Sequence, residues 1–504
     1  DDDRGVGHGG AGARVMLWGG CGGRAYQLAN GAESGWMGGA DLTVDWVGVS
    51  LQADGAERGV ARHMNPDDQK SWGWWWPVRI TLGAVLWVVA RVWAAEPADE
   101  PGFVPLFDGR SLAGWQVVDG APDGYEVRDG LLVCTERGGK LYTTREYADF
   151  VLRFEFRLPE GANNGVAVRA PQGGDPAYVG MEIQILEETA ALKGKWGRLR
   201  PEQFHGSVYD VAAARQGALK PPGQWNTEEI RVEGRRVRVQ VNGREVLDVD
   251  LNQVRDPAVL RKHPGLFRDR GYIGFLGHGD RVEFRNIRLK ELAVSAAQKR
   301  AGFASLWNGR DLEGWRGWVD PRKAAQMTAE ALAAARAEAD ELMRRNWRVE
   351  EGALVYRGQG FDNLCTEREF GDFELECEWK IAPRSDSGIY LRGVPQVQIW
   401  DPYTPPVEGG REVGSGGLYN NQQHPSRPLV RADRPVGEWN HFRVVMVGER
   451  VHVFLNGQLV VQDTVLENYW DRTRPVPARG PIELQAHATP VWFRELWVRE
   501  IPSR

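Results

Sequence analysis

Residues 140–158 read KLYTTREYADFVLRFEFRL, and residues 363–381 read NLCTEREFGDFELECEWKI, the same pattern 223 positions further on. In the first of them Phe150, Leu152, Phe154, Phe156 and Leu158 fall on one side of an extended chain, and Val151, Arg153, Glu155 and Arg157 on the other. A period of two over nine residues is that of a half-buried strand. RVRVQVNGREVLDV (236–249) alternates on both sides of Asn242-Gly243, the sequence of a tight hairpin. Several such strands in each stretch of roughly 190 residues predict an all-β chain of antiparallel sandwiches or jelly rolls.

Working outward, LFDGRSLAGW (106–115) matches LWNGRDLEGW (306–315) at an offset of 200. GQWN (223–226) matches GEWN (437–440), and VNG (241–243) matches LNG (455–457), both at 214. His278 matches His487 at 209, with the strands IGFLGH and IELQAH aligned. An ordered series with a slowly drifting offset reads as duplication, with domain 1 at 103–292 and domain 2 at 303–500. The jump from 200 to 223 marks an insertion in the second copy, VDPRKAAQMTAEALAAARAEADELMRRN (319–346). Its Ala- and Glu-rich run, with Thr328 as a cap and basic residues at the end, predicts one amphipathic helix. A solvated or domain-packing helix is the first reading and a lid the alternative.

The 63 Lys and Arg against 69 Asp and Glu give a net charge of -6, with no basic patch to attract nucleic acid. Nine of the 22 tryptophans precede residue 95, so that region is treated apart from the rest. Residues 1–63, rich in Gly and Ala and without a period, read as a disordered or mis-assigned leader. From Met64, Lys70 and Arg79 precede the apolar run ITLGAVLWVVA (80–90), and Val92-Trp93-Ala94 follows. The segment 64–94 thus reads as a secretory signal with a mature N-terminus near Ala95, and the expected location is the periplasm or the medium. The run is well short of the ~20 residues that span a bilayer, and an uncleaved anchor is the alternative. Cys365 and Cys377 could pair, but domain 1 has Tyr142 and Phe154 at those places, which favours buried thiols.

ANNGVAVR (162–169) and SDSGIYLR (385–392) each run from a small polar turn into a short apolar strand that ends in arginine. With Val166, Val168, Ile389 and Leu391 facing the core, alternation sends Arg169, Tyr390 and Arg392 to the other face, since an unpaired guanidinium is too costly to bury. On the next strands Glu182 and Gln184, then Gln396, Gln398 and Trp400, point the same way, with Asp401 at the strand end. An ordinary arginine–carboxylate pair on a solvated face would explain two of the features that recur. It would not explain the whole set of Arg, Gln, acid, Tyr (Tyr209, Tyr419) and His (His278, His487).

The succession LFDG or LWNG with GW, DF, NG or SG with Arg, EIQI or QVQIWD, GGLY, WN, NG and IELQ-x-H resembles the 3-keto-disaccharide hydrolase domain family of bacteria. The resemblance covers about 103–292 and 303–500 and is closer in the second. It departs from the pattern at Ala488, at Glu495 and, in domain 1, at Leu276. It implies a concanavalin-like jelly roll, export, and cleavage of glycosides whose sugar carries a ketone at carbon 3. Such chemistry needs a base for the acidified hydrogen on carbon 2, an acid for the leaving oxygen and donors for the enolate. The candidates are His487 or Asp401 as base and Arg392 with Gln398 as oxyanion donors, with Arg169, Glu182, Gln184 and His278 as their domain 1 counterparts. Tyr390, Trp400, Tyr419, Asn420, Gln485 and Tyr209 are candidate sugar contacts. No cofactor is expected, a divalent metal near Asp401 and His487 is left open, and the partner is a 3-keto glycoside. A non-catalytic carbohydrate-binding protein on the same fold is the rival reading.

Overall fold

The computed structural model describes residues 101–502 except 358, 359 and 408; the readings placed on 1–63 and 64–94 lie outside the described residues. Each half folds as two antiparallel sheets packed face to face. In domain 1 the five-stranded sheet is built from β1 (Trp115–Gly120), β2 (Gly138–Thr143), β3 (Asn163–Ala170), β4 (Met181–Leu186) and β5 (Tyr272–Gly277), in the order β1-β2-β5-β3-β4. Domain 2 repeats it with β6 (Trp315–Gly317), β7 (Leu364–Thr366), β8 (Asp386–Leu391), β9 (Val394–Trp400) and β10 (Glu483–Leu484), in the order β6-β7-β10-β8-β9. The partner of each is an eight-stranded sheet centred on Phe150–Arg157 and Phe373–Ile381 respectively.

Alternation builds the core as expected. Phe150, Leu152, Phe154 and Phe156 meet Val166, Val168, Ile183 and Ile185 between the sheets of domain 1. Leu375 and Trp379 meet Ile389, Leu391, Val397, Ile399 and Leu484 in domain 2. Asn242-Gly243 turns the hairpin with both residues at positive φ, 52° and 77°, as a type I′ turn requires. Cys365 and Cys377 are free and buried.

The insertion forms a short turn at Pro321–Ala324 and then one helix, α1 (Ala329–Asn346), whose N-cap Thr328 accepts from Ala331 N at 3.2 Å. It packs against β6. Gly317 N donates to Asp340 Oδ1 at 2.7 Å, and a Cβ on Gly317 would lie 2.2 Å from the Ala339 carbonyl carbon. This is backbone against backbone, so the packing reading holds, and Gly317→Ala should lower stability by about 1–3 kcal/mol through overpacking. The check is the urea midpoint of the whole chain. A midpoint equal to that of the wild type would mean that the contact yields freely.

Candidate functional site

The core takes one face of each five-stranded sheet and leaves the other. On that outer face in domain 2 the registers set side chains into rows. Arg316 lies opposite Cys365, Cys365 opposite Glu483, and Glu483 opposite Tyr390. One step along the strands, Gln485 N donates to the Gly388 carbonyl at 2.8 Å, and Gly388 lies opposite Gln398. One step further, Asp386 lies opposite Trp400, with His487 on the other side of Asp386 two residues beyond Gln485. The Gln396 amide lies over Gly388 in the middle, where a Cβ would meet its Cδ at 3.0 Å.

Glu483 stands out. It is 3 % exposed, its Oε2 has no hydrogen-bond partner among the described residues, and burial pushes its carboxyl up to about 7 against the opposing pull of Arg316, Asn363 and Cys365. Beside it, Gln485 Oε1 also lacks a partner, while its amide lies 3.5 Å from Tyr390 Oη. Burial likewise raises Asp386, although His487, Gln398 and Arg411 all favour its charged form. Two carboxyls with raised proton affinity thus lie on this face on either side of the Gly388–Gln485 row, about 13 Å apart along the strand direction at four residues' rise. Trp470 packs on Tyr390 at 6.4 Å and on Trp318 at 6.0 Å, and its indole N–H donates to the Gly393 carbonyl at 2.6 Å. At the other end Trp400 and Tyr419 meet edge to face at 5.3 Å. Tyr419 is 51 % exposed beside a cavity of about 180 Å³, and Asn420 follows it in the same loop.

Several expected site residues have structural duties instead. The Arg392 guanidinium donates to the carbonyls of Gly371 (2.7 Å) and Pro477 (3.3 Å) and pairs with Asp372 at 2.5 Å. Arg169 does the same with the carbonyls of Ala148, Gly234 and Arg268 and with Asp149. Both stand at positive φ, 50° and 55°, which ends the alternation that would have turned them to the outer face. They clamp the strand end to the loop before the central strand. Asp401 organises a loop: its oxygens accept from the backbone N–H groups of Arg384, Tyr403 and Thr404 at 2.7–3.0 Å, which hold it below the usual carboxylate range in spite of burial. A metal there would have to displace those bonds, and the described residues hold no group of three ligating side chains. Glu187 in domain 1 has the same duty towards Gly161, Thr189 and Ala190. Gln398 is no free oxyanion donor either, because its amide donates to Asp386 (2.8 Å) and to the Ser387 and Ile399 carbonyls while its oxygen accepts from Gln396. It positions Asp386.

Domain 1 presents the same rows with different contents. Gln116, Tyr142, Gly274, Ala167 and Glu182 take the first row. The Tyr142 ring fills the place that the Glu483 carboxyl has in domain 2, and it stacks on Tyr272 at 6.1 Å, with Leu276 in the same apolar cluster. The Glu182 carboxyl lies over Gly165, where a Cβ would meet Oε1 at 2.0 Å. Its Oε1 lies 3.6 Å from His278 Nε2, and this carboxylate raises the imidazole above its ordinary range, while burial raises the Glu182 carboxyl itself. Gln184 donates to Asn163 at 2.8 Å, and Tyr209 bonds Gln203 at 3.0 Å. The outer face of domain 1 is therefore packed with its own side chains.

Glu483, Asp386, Trp318 and Trp470 were not among the sequence candidates. The alternation of Ile482, Glu483, Leu484 and Gln485 already places Glu483 outward, but Gly274 in the other half removes it from any comparison of shared residues.

A model of the 3-keto-alpha-glucoside-1,2-lyase-like domain matches residues 102–290 and 302–499. A 3-keto-disaccharide hydrolase of Bacteroides thetaiotaomicron is 28 % identical over 234 residues, 39 % of this chain and 80 % of that protein. A crystal structure of a glycosyl hydrolase assigned in Parabacteroides distasonis is 28 % identical and covers 38 % of this chain and 99 % of its own, with a TM-score of 0.33. A lectin from Bauhinia forficata in complex with GalNAc is 13 % identical and covers 37 % and 96 %, with a TM-score of 0.26.

The clamp reading of Arg392 separates stability from activity. Arg392→Met should cost about 3 kcal/mol by leaving Asp372 without its partner, and turnover per folded molecule should stay at the wild-type level. Calorimetry beside active-site-normalised kinetics checks it; lost turnover with an unchanged melt would return Arg392 to the site.

Proposed function

We propose that this chain, which belongs to the 3-keto-alpha-glucoside-1,2-lyase-like domain family through both of its halves, cleaves 3-keto glycosides on the outer face of domain 2. The observation that carries the reading is Glu483, a buried carboxyl with an unpartnered oxygen and a proton affinity near neutrality. A group of that kind exists in both protonation states at neutral pH and so can take a proton and give it back. With a sugar ring beside Tyr390 and Gln485, Glu483 takes the hydrogen from carbon 2. The electron pair of that bond passes to the carbon 3 oxygen as an enolate, whose collapse forms the carbon 1–carbon 2 double bond as the bond from carbon 1 to the glycosidic oxygen breaks. The leaving oxygen takes a proton from solvent; water then adds to carbon 1, and Glu483 returns its proton to carbon 2. The amide of Gln485 and the hydroxyl of Tyr390 are the donors for the enolate oxygen. The Trp400–Tyr419 end, with its adjoining cavity, receives the leaving sugar. Export is part of the same proposal and is supported by the basic, apolar and small-residue succession of 64–94.

Glu483→Gln should lower release of free sugar from a 3-keto disaccharide by about 10²–10⁴-fold. It should also abolish the limb of the kcat/KM profile that rises with pH near 7. Wild-type turnover in Glu483→Gln would overturn the assignment, and His278→Ala in domain 1 should leave turnover unchanged.

Stability gives an independent reading. Burial raises the folded carboxyl from 4.5 to about 7, so the native state binds this proton more tightly than the unfolded chain does. Its contribution therefore falls as pH rises from about 4.5 to about 7. Glu483→Gln should melt above the wild type at pH 8, and the gap should narrow towards pH 4.5; a gap that does not depend on pH would show Glu483 to be ionised as in water.

A further inference from the structure

The two sandwiches share a seam. Val445, Val447, Phe454 and Ile501 of domain 2 join the apolar cluster of domain 1, and Arg443 reaches across to Asp269 at 2.9 Å and to the Phe267 carbonyl. In this seam lies a cavity of about 220 Å³. Phe267, Arg268, Arg443 and Phe454 form its buried wall, and Asp269, Arg270 and Arg434 stand at its exposed rim.

The positive charges here are not all balanced from within. Arg443 is matched by Asp269, Glu376 and Glu374, and Arg270 by Glu146 at 3.1 Å. Among the described residues the Arg434 guanidinium meets a carbonyl, that of Trp439, at 2.9 Å, and no carboxylate. Arg268 is 8 % exposed, its Nε has no hydrogen-bond partner, and no carboxylate among the described residues pairs with it. Glu146 and Asp269 act on it from a distance and favour its charge, but neither pairs with it directly; a buried N–H without an acceptor is unfavourable, and Arg268 lines a cavity with room for a small molecule. Burial and Arg443 hold the neighbouring His441 below its ordinary range, so it enters as a neutral hydrogen-bonding group.

We propose that this cavity binds a small oxyanion, held between Arg268 of domain 1 and Arg434 of domain 2. A guanidinium fork suits sulfate, phosphate and carboxylate alike. The Phe267 and Phe454 rings leave an apolar wall for a carbon skeleton, so a sulfated or carboxylated sugar is the organic form of the same ligand. The site is independent of the chemistry on the outer face of domain 2.

The experiment is thermal denaturation of the whole chain at constant ionic strength, with sodium sulfate or sodium glucuronate replacing sodium chloride stepwise. A saturable rise in Tm is expected, beyond the linear stabilisation that sulfate gives any protein. Arg268→Met should remove the saturable part and, in chloride alone, cost little stability, because it deletes a buried N–H that has no acceptor. Arg434→Ala, at the exposed rim, should raise the half-saturating concentration at least tenfold. Saturation by sulfate alone assigns the site to tetrahedral oxyanions, and saturation by glucuronate alone to carboxylates. No saturable rise with either, or the same rise in Arg268→Met, overturns the proposal.

Discussion

In the five-stranded sheet of domain 2, Ile389, Leu391, Val397, Ile399 and Leu484 lie against the eight-stranded sheet with no exposed surface. That burial dictates where every side chain between them goes. A slip of one residue would exchange the whole apolar set for the polar one, so the register cannot drift without the loss of the core. Glu483, Gln485, Tyr390, Gly388, Asp386, Gln398 and Trp400 form rows because their neighbours have no other place to be. Precision at the candidate site is inherited from packing on the opposite side of the same strands.

Two further devices hold that sheet. Arg392 closes one end, at the cost of a left-handed residue, by linking the end of β8 to Asp372, whose carboxylate also accepts from Gly448 N at 2.8 Å in a hairpin turn. Asp401 closes the other by gathering three backbone N–H groups. Both bury charge, and both are satisfied in full. Against that background Glu483 and Gln485 are conspicuous because each keeps an unpartnered oxygen within a face where most polar atoms are matched. Unpaired polar atoms are tolerated where a ligand completes them.

How much of this could be read beforehand depends on which residues carry it. The sandwich, the Asn242-Gly243 hairpin, the inserted helix with its Thr328 cap and the outward set at Gln396, Gln398 and Trp400 all follow from local rules of period, turn and cap. Arg392 and Asp401 misled, because recurrence in both halves marks what the fold needs, and here the fold needs an arginine clamp and a carboxylate that organises a loop. Glu483 was passed over for the opposite reason: it has no counterpart in the other half. Its surroundings come from three other segments, at Arg316, Asn363 with Cys365, and Tyr390, which no single strand reveals.

The Tyr142 ring in domain 1 has a consequence for how the halves can change. A carboxylate at position 274 would need a Cβ 2.2 Å from the ring, so Gly274→Glu alone creates a clash. Removing the ring alone, as in Tyr142→Cys, opens a cavity of the kind that costs several kcal/mol. Each step towards a domain 2-like face is thus deleterious until the other has been taken, and the two positions are coupled by direct contact. The division of roles between the halves behaves as a ratchet: it is easily kept by drift and is reversed only by a double substitution.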